Sequence, residues 1–213
     1  VTQDVADYAT LRSELLAQPV CEPPALESYS GPHTVIPLED LVEAGALTVY
    51  EVPPTVGVEG GETPMLSAKD VRLGRAASRW GNAAEPGAVT IRTGDVAVAV
   101  STEAAVRVCE DEGVLLGPGI RLVRADVNAV DPYFLAGILR AAINASDGRP
   151  LDLYEVAVPR IQLAEQRRYG AAFARLTALE TAYQRQRADI ERLVRTGFGG
   201  LAQGQLRPTT DDQ

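Results

Sequence analysis

The chain has 213 residues with 20 Lys and Arg against 29 Asp and Glu, a net charge of −9, and only 5% of its residues are aromatic. That length suits one domain of ordinary size with an extension and is short for two complete domains, with Ala, Val and Leu left to fill the core. No apolar run approaches the roughly 20 residues a bilayer span requires and no signal peptide is visible, so the expected setting is cytoplasmic and away from membranes.

The first residue is Val1, which fits a fragment, a processed chain or a valine-written start. Residues 1–18 predict a short helix through Val5, Tyr8, Leu11, Leu15 and Leu16 that ends before Pro19. The proline-rich stretch from Pro19 to Pro32 reads as a linker or extended arm. Val35 to Val42 opens the body as a strand-like segment and a helical turn stopped by Gly45, and Leu47–Val52 alternates as a strand ended by Pro53-Pro54. Gly57 to Pro64 reads as a loop, Met65-Leu66 as a short strand, and Ser67–Gly74 as a polar turn region.

Val89–Arg92 and Val96–Val100 flank Thr93-Gly94-Asp95 and predict a hairpin; Val114–Leu116 and Ile120–Arg124 around Gly117-Pro118-Gly119 predict a second strand pair. Asp131 followed by Pro132 has the chemistry of a helix start. From about Leu163 to Thr196 a helix of about nine turns, roughly 50 Å long, follows. Tyr169, Leu176, Tyr183 and Ile190 recur every seven residues, with Ala172, Leu179 and Leu193 on the complementary register and Gln186 as its polar exception. A seam of 3.5 spacing is what two wrapped helices need, so Tyr169, Leu176, Leu179, Tyr183, Ile190 and Leu193 are the expected helix interface. The residues beyond 197 read as a disordered tail.

Catalytic patterns are missing from the sequence. There is no phosphate loop with Lys, no Gly-x-Ser-x-Gly elbow and no close metal-ligand cluster. Cys21 and Cys109 read as free thiols, and one histidine, His33, leaves no Cys/His zinc site. Asp95 resembles a catalytic acid on a turn, but Gly-Asp between strands is ordinary turn chemistry. A site assembled from Asp95, Glu103 and Tyr133 remains a minor alternative.

Charge is unevenly spread. Residues 1–62 carry eleven acids and only Arg12, whereas segment 63–92 has five bases against two acids and segment 160–196 eight against four. Recognition depends on local potential rather than on the total. Lys69, Arg72, Arg75 and Arg79 recur every three or four residues, with Ser78, Trp80 and Asn82 beside them. Arg suits guanine edges and phosphates, Asn suits adenine and Ser suits phosphate. Lys69, Arg72, Arg75, Ser78, Arg79, Asn82, Arg92 and Arg107 are therefore the candidate DNA contacts; the bland alternative is a solvated surface with Trp80 tucked onto the body.

The ordered motifs Val35–Leu41, Thr63–Gly74, Ile91–Val98, Asp131–Leu135 and Val156–Gln166, ending in Glu165-Gln166 at the head of the long helix, together resemble one family. It is the specificity subunits of type I restriction-modification systems, specifically one target-recognition domain plus one conserved helix, over about residues 33–197. The resemblance implies an α+β domain with an irregular or barrel-like mixed sheet, a few short helices and one long coiled-coil-type helix. It implies sequence-specific reading of double-stranded DNA on behalf of a methyltransferase domain or subunit, in a type I-like or N6-adenine methyltransferase system. Complete specificity subunits carry two such domains and two such helices; this chain has one of each. It fits a half-subunit that forms a homodimer through the helix, or the C-terminal recognition part of a larger methyltransferase. The Asn-Pro-Pro-Tyr/Phe motif of those enzymes is absent, so the chain is expected to be no enzyme and to hold no cofactor, S-adenosylmethionine belonging to the partner. The expected division is an arm at 1–32, a recognition domain at 33–160, a spacer helix at 161–197 and a tail at 198–213. The rival reading is a protein-interaction module that acts through its heptad helix without touching DNA.

Overall fold

The computed structural model describes residues 2–19, 21–29, 31, 34–52, 61–99 and 104–209, with side chains considered from Asp7 onward. His33, Glu103 and residues 57–60 of the loop expected at Gly57 to Pro64 lie outside the described residues, and Thr63 and Pro64 of that stretch belong to β3. Two units are present: Leu26–Ala174, and a second formed by Val1–Ala25 with Arg175–Gln213. In chain order the elements are α1 (Thr2–Ala17), β1 (Val35–Pro37), α2 (Leu38–Glu43), β2 (Leu47–Glu51), β3 (Thr63–Leu66), α3 (Ala68–Leu73), β4 (Arg79–Gly81), β5 (Val96–Ala99), β6 (Ala105–Val108), β7 (Leu115–Leu116), β8 (Ile120–Ala125), α4 (Pro132–Ala145), β9 (Ala157–Pro159) and α5 (Leu163–Ala202).

The central layer of the first unit is an antiparallel sheet in the order β2-β8-β5-β6. Both of its faces are covered. Alternate residues of β5 serve the two sides: Val96 and Val98 join Leu47, Val123, Phe134, Leu135 and Leu139 in one cluster. Ala97 and Ala99 join Leu66, Val71, Ile91, Leu116 and Leu122 in the other. A side-chain period of two explains this division, and burial on both sides explains why Val96–Ala99 is continuously apolar. The small Ala97 and Ala99 lie under α3, which packs on β5 and β6.

A second sheet, β4-β3-β7, pairs β3 antiparallel with β4 and parallel with β7. The third is the pair β1-β9, in which Val35 sits opposite Pro159 and Pro37 opposite Ala157. It joins the start of the body to its end, and Leu38 N–H continues the contact by donating to the Val156 carbonyl at 2.9 Å. The architecture is the expected mixed α+β arrangement, but the three described sheets are separate and do not close into a barrel.

Several local expectations give way to long-range pairing. Val89–Arg92 does not form a hairpin with β5; Ile91 N–H donates to the Val114 carbonyl and Leu116 N–H to the Val89 carbonyl, both at 2.8 Å. Leu115–Leu116 likewise joins β3 instead of β8. Ser67–Gly74 is a helix with a capping box, not a turn region, and closes on Gly74 at φ +58. Trp80 lies on a strand, not in a loop.

The Asp131-Pro132 start of α4 is as expected: the Asp131 carboxylate accepts from Phe134 N–H at 2.8 Å. The first turns of α5 dock here. Gln166, only 8% exposed, accepts from Asp131 N–H at 3.0 Å and donates to the carbonyls of Ile161 and Ala129 at 3.0 and 3.3 Å. A Cβ at Gly170 would collide with the Asp131 carboxylate, and one at Gly137 with the Phe173 ring, so both glycines permit close helix approach. Tyr169 meets Phe134 edge-on at 6.4 Å. Tyr169, expected at the helix interface, packs here against α4 of the body.

In the second unit α1 lies antiparallel to the later part of α5. Gln18 donates to Asp189 at 2.8 Å and Tyr8 packs beside Gly197. Leu179, Gln186 and Leu193 are half-buried, whereas Leu176, Tyr183 and Ile190 are 39, 56 and 42% exposed. The helix also continues past residue 197 to Ala202, so residues 198–202 are no tail, and Gln205 and Leu206 N–H then fold back onto the Gly200 carbonyl at 2.8 and 2.9 Å.

Candidate nucleic-acid interface

The basic segment is organised around a buried carboxylate. Asp70 has no solvent exposure. Its Oδ2 accepts from Ser67 N–H at 3.0 Å and Ser67 Oγ at 2.5 Å. Its Oδ1 accepts from Arg75 Nε at 2.5 Å and Ser78 Oγ at 2.7 Å, and Ser78 N–H reaches Oδ2 at 3.2 Å. Burial would raise the carboxyl pKa, but the hydrogen bonds from Ser67, Arg75 and Ser78 outweigh it and hold Asp70 well below the usual carboxylate range. The network pins the turn after α3 and so sets where β4 begins.

That geometry separates the candidate contacts. Arg75 is half-exposed but engages Asp70 through Nε and Ser78 through Nη2 at 3.2 Å. Its role, with Ser78, is to hold the loop. Arg107 on β6 joins the same place by donating Nη1 to the Arg75 carbonyl at 2.5 Å, with Asp111 at 3.5 Å from its Nη2. Asn82 closes its own turn by accepting from Ala84 N–H at 3.0 Å. Lys69 and Arg72 are exposed on α3, opposite the buried Asp70 and Val71. Arg79 on β4 and Arg92 in the turn before β5 are exposed as well, and neither side chain is paired with a described residue. Trp80 is not tucked onto the body; it is 58% exposed.

The Thr93-Gly94-Asp95 turn is structural. Asp95 is 2% exposed and takes Arg124 Nε and Nη2 at 2.8 and 2.7 Å, with Arg92 N–H at 2.9 Å. The Arg124 guanidinium also stacks 4.8 Å from the Tyr50 ring centre. Buried and with both carboxylate oxygens engaged, Asp95 is committed to Arg124 and to the turn backbone. The residues that sequence reasoning missed are Asp70 and Gln166. A Ser67-x-x-Asp70 capping box was readable in advance; Gln166 had only its place in the Glu165-Gln166 motif.

No protein-family model and no curated protein matches the sequence. Among solved structures, the fold is shared with the HsdS subunit from Thermoanaerobacter tengcongensis, at a TM-score of 0.54 and 17% identity over 92% of this chain and 52% of that one. It is also shared with a chain from a structure of complex assembly and conformational transition in a type I R-M system, at a TM-score of 0.52 and 18% identity over 94% of this chain and 52% of that one. The chain thus has the fold of these proteins and spans about half the length of each. Among the described residues no helix is long and apolar enough to cross a membrane.

Proposed function

We propose that the chain is a double-stranded DNA recognition module of a type I-like restriction-modification or N6-adenine methyltransferase system, working in the cytoplasm. The observation that carries this reading is the fold agreement with the HsdS subunit across 92% of the chain, at half of that subunit's length. The globular unit would read a few base pairs, with Lys69, Arg72, Arg79 and Arg92 meeting phosphates or base edges and Arg75, Ser78 and Arg107 holding the surface in shape. The module itself would carry out no chemistry, methyl transfer belonging to a partner domain or subunit that binds S-adenosylmethionine.

The exposed register Leu176, Tyr183 and Ile190 supports the other half of the reading, a docking face on α5 for a methyltransferase domain or for a second copy of the chain. Selection of bound duplexes from a randomised pool at low salt, followed by sequencing, tests the proposal. Enrichment of a defined motif is expected. A pool that stays random, alongside capture of a methyltransferase subunit, would favour the rival reading of an interaction module that never meets DNA.

A further inference from the structure

Every buried hydrophobic side chain among the described residues lies in the unit Leu26–Ala174. The unit formed by Val1–Ala25 with Arg175–Gln213 has no comparable core; of its described residues only Gly200, which carries no side chain, is fully buried. The packing of α1 on α5 runs along one seam. Tyr8, Leu11, Leu15 and Gln18 are half-buried, and every other residue from Asp7 to Pro19 is exposed. Spacings of three and four make this one narrow stripe. Across it Tyr8 stands at Gly197, where a Cβ would lie 3.0 Å from the ring, and Gln18 donates to Asp189 at 2.8 Å. Between these contacts α5 offers half-buried Leu193 and Thr196. A helix of 16 residues is marginal in water by itself, and local stability follows buried apolar contact. With so little of its surface fully buried, α1 opens at a much lower free energy than the globular unit. Its connection lets it travel: among the described residues from Gln18 to Thr34 none is in a helix or strand, and the stretch holds Pro19, Pro23, Pro24 and Pro32. A chain of that length spans up to roughly 50 Å when extended.

We propose that α1 is an exchangeable helix: it leaves the α5 seam as a unit, and the vacated seam receives α1 of a second copy of the chain. The structure itself defines this occupant, because α1 is the segment seated on that seam and a second copy's α1 would make the same contacts. Exchange of an identical element joins two copies without requiring any new contact. The proposal is independent of the DNA-recognition reading, and it brings two globular units into one particle.

The probe is a fluorescein-labelled peptide of residues 1–19, titrated into the full chain, with amide exchange followed by mass spectrometry and association by analytical ultracentrifugation. Amides of α1 are expected to exchange roughly a hundredfold or more faster than those of α4. The chain should capture the peptide, and at high concentration it should form a dimer that excess unlabelled peptide dissociates. Leu11→Ser/Leu15→Ser in the full chain frees the seam, so it should tighten peptide capture roughly tenfold or more and lose the dimer. Leu193→Glu should abolish capture, and both variants should leave the melting of the globular unit unchanged. Protection of α1 equal to that of α4 would overturn the proposal, as would rapid exchange without peptide capture, which marks a frayed helix only. A chain that stays monomeric at every concentration would overturn it too. A dimer that survives excess peptide would be joined through the exposed Leu176, Tyr183 and Ile190 face instead, and would equally overturn the exchange.

Discussion

Asp70 decides what the arginines around it are free to do. A buried carboxylate is tolerated only when fully hydrogen-bonded, and here two serines and Arg75 complete its shell. Asp70→Ala should therefore cost about 3 kcal/mol or more in a urea melt, since it leaves these donors buried or misplaced. The pH sign follows from the depressed pKa: the stabilisation is fully present above the ordinary carboxylate pKa of about 4 and is lost as pH falls through the folded value. Asp70→Asn should flatten the loss of stability below about pH 4; an identical acid limb in both proteins would remove Asp70 as its source. Thiol chemistry offers a second check. Burial pushes the Cys109 thiol up to about 11, whereas Cys21 is only half-buried. At mildly alkaline pH the native protein should alkylate rapidly at Cys21 alone, and a second equally fast equivalent by mass spectrometry would contradict the packing around Cys109.

Elements divide by whether their signals are local. The Asp131-Pro132 cap, the stop at Gly45 and the long helix α5 were legible because each is fixed by residues within a few positions. Strand partners were not. Val89–Arg92 and Leu115–Leu116 look like hairpin halves, yet each pairs with chain that lies far away in sequence, because the turns that would join neighbours are used otherwise. At Thr93-Gly94-Asp95 the carboxylate is held by Arg124, a residue 29 positions on. In the candidate site the basic residues were readable, but not their division into exposed cations and loop-holding groups, because that depends on Asp70 gathering Arg75 and Ser78. Two variants test the elements. Gln166→Leu removes three hydrogen bonds where α5 meets α4 and leaves Asp131 N–H without an acceptor, so a loss of about 2 kcal/mol is expected in a urea melt. Changing Leu176, Tyr183 and Ile190 to Ser should leave the thermal unfolding of the globular unit unchanged while abolishing co-purification with a methyltransferase subunit. Retained co-purification would move the docking face elsewhere.

For the whole molecule, the net charge of −9 is a poor guide to partners because residues 1–62 set eleven acids against Arg12 alone, while over the remaining residues bases and acids nearly balance. The exposed cations of the globular unit must then act locally, and any duplex association has to overcome repulsion from the remainder of the chain. Each phosphate contact releases counterions, so binding should still weaken as salt rises, and low ionic strength is the condition in which to assay it. The fold match spans nearly all of this chain and about half of each neighbour. The most direct test of DNA recognition through this surface is the salt dependence of affinity for the enriched duplex, compared between wild type and Lys69→Ala/Arg79→Ala. The prediction is a linear fall of log affinity with log salt, with the slope reduced by about two in the double variant and melting unchanged. Identical slopes and affinities in the two proteins would contradict it.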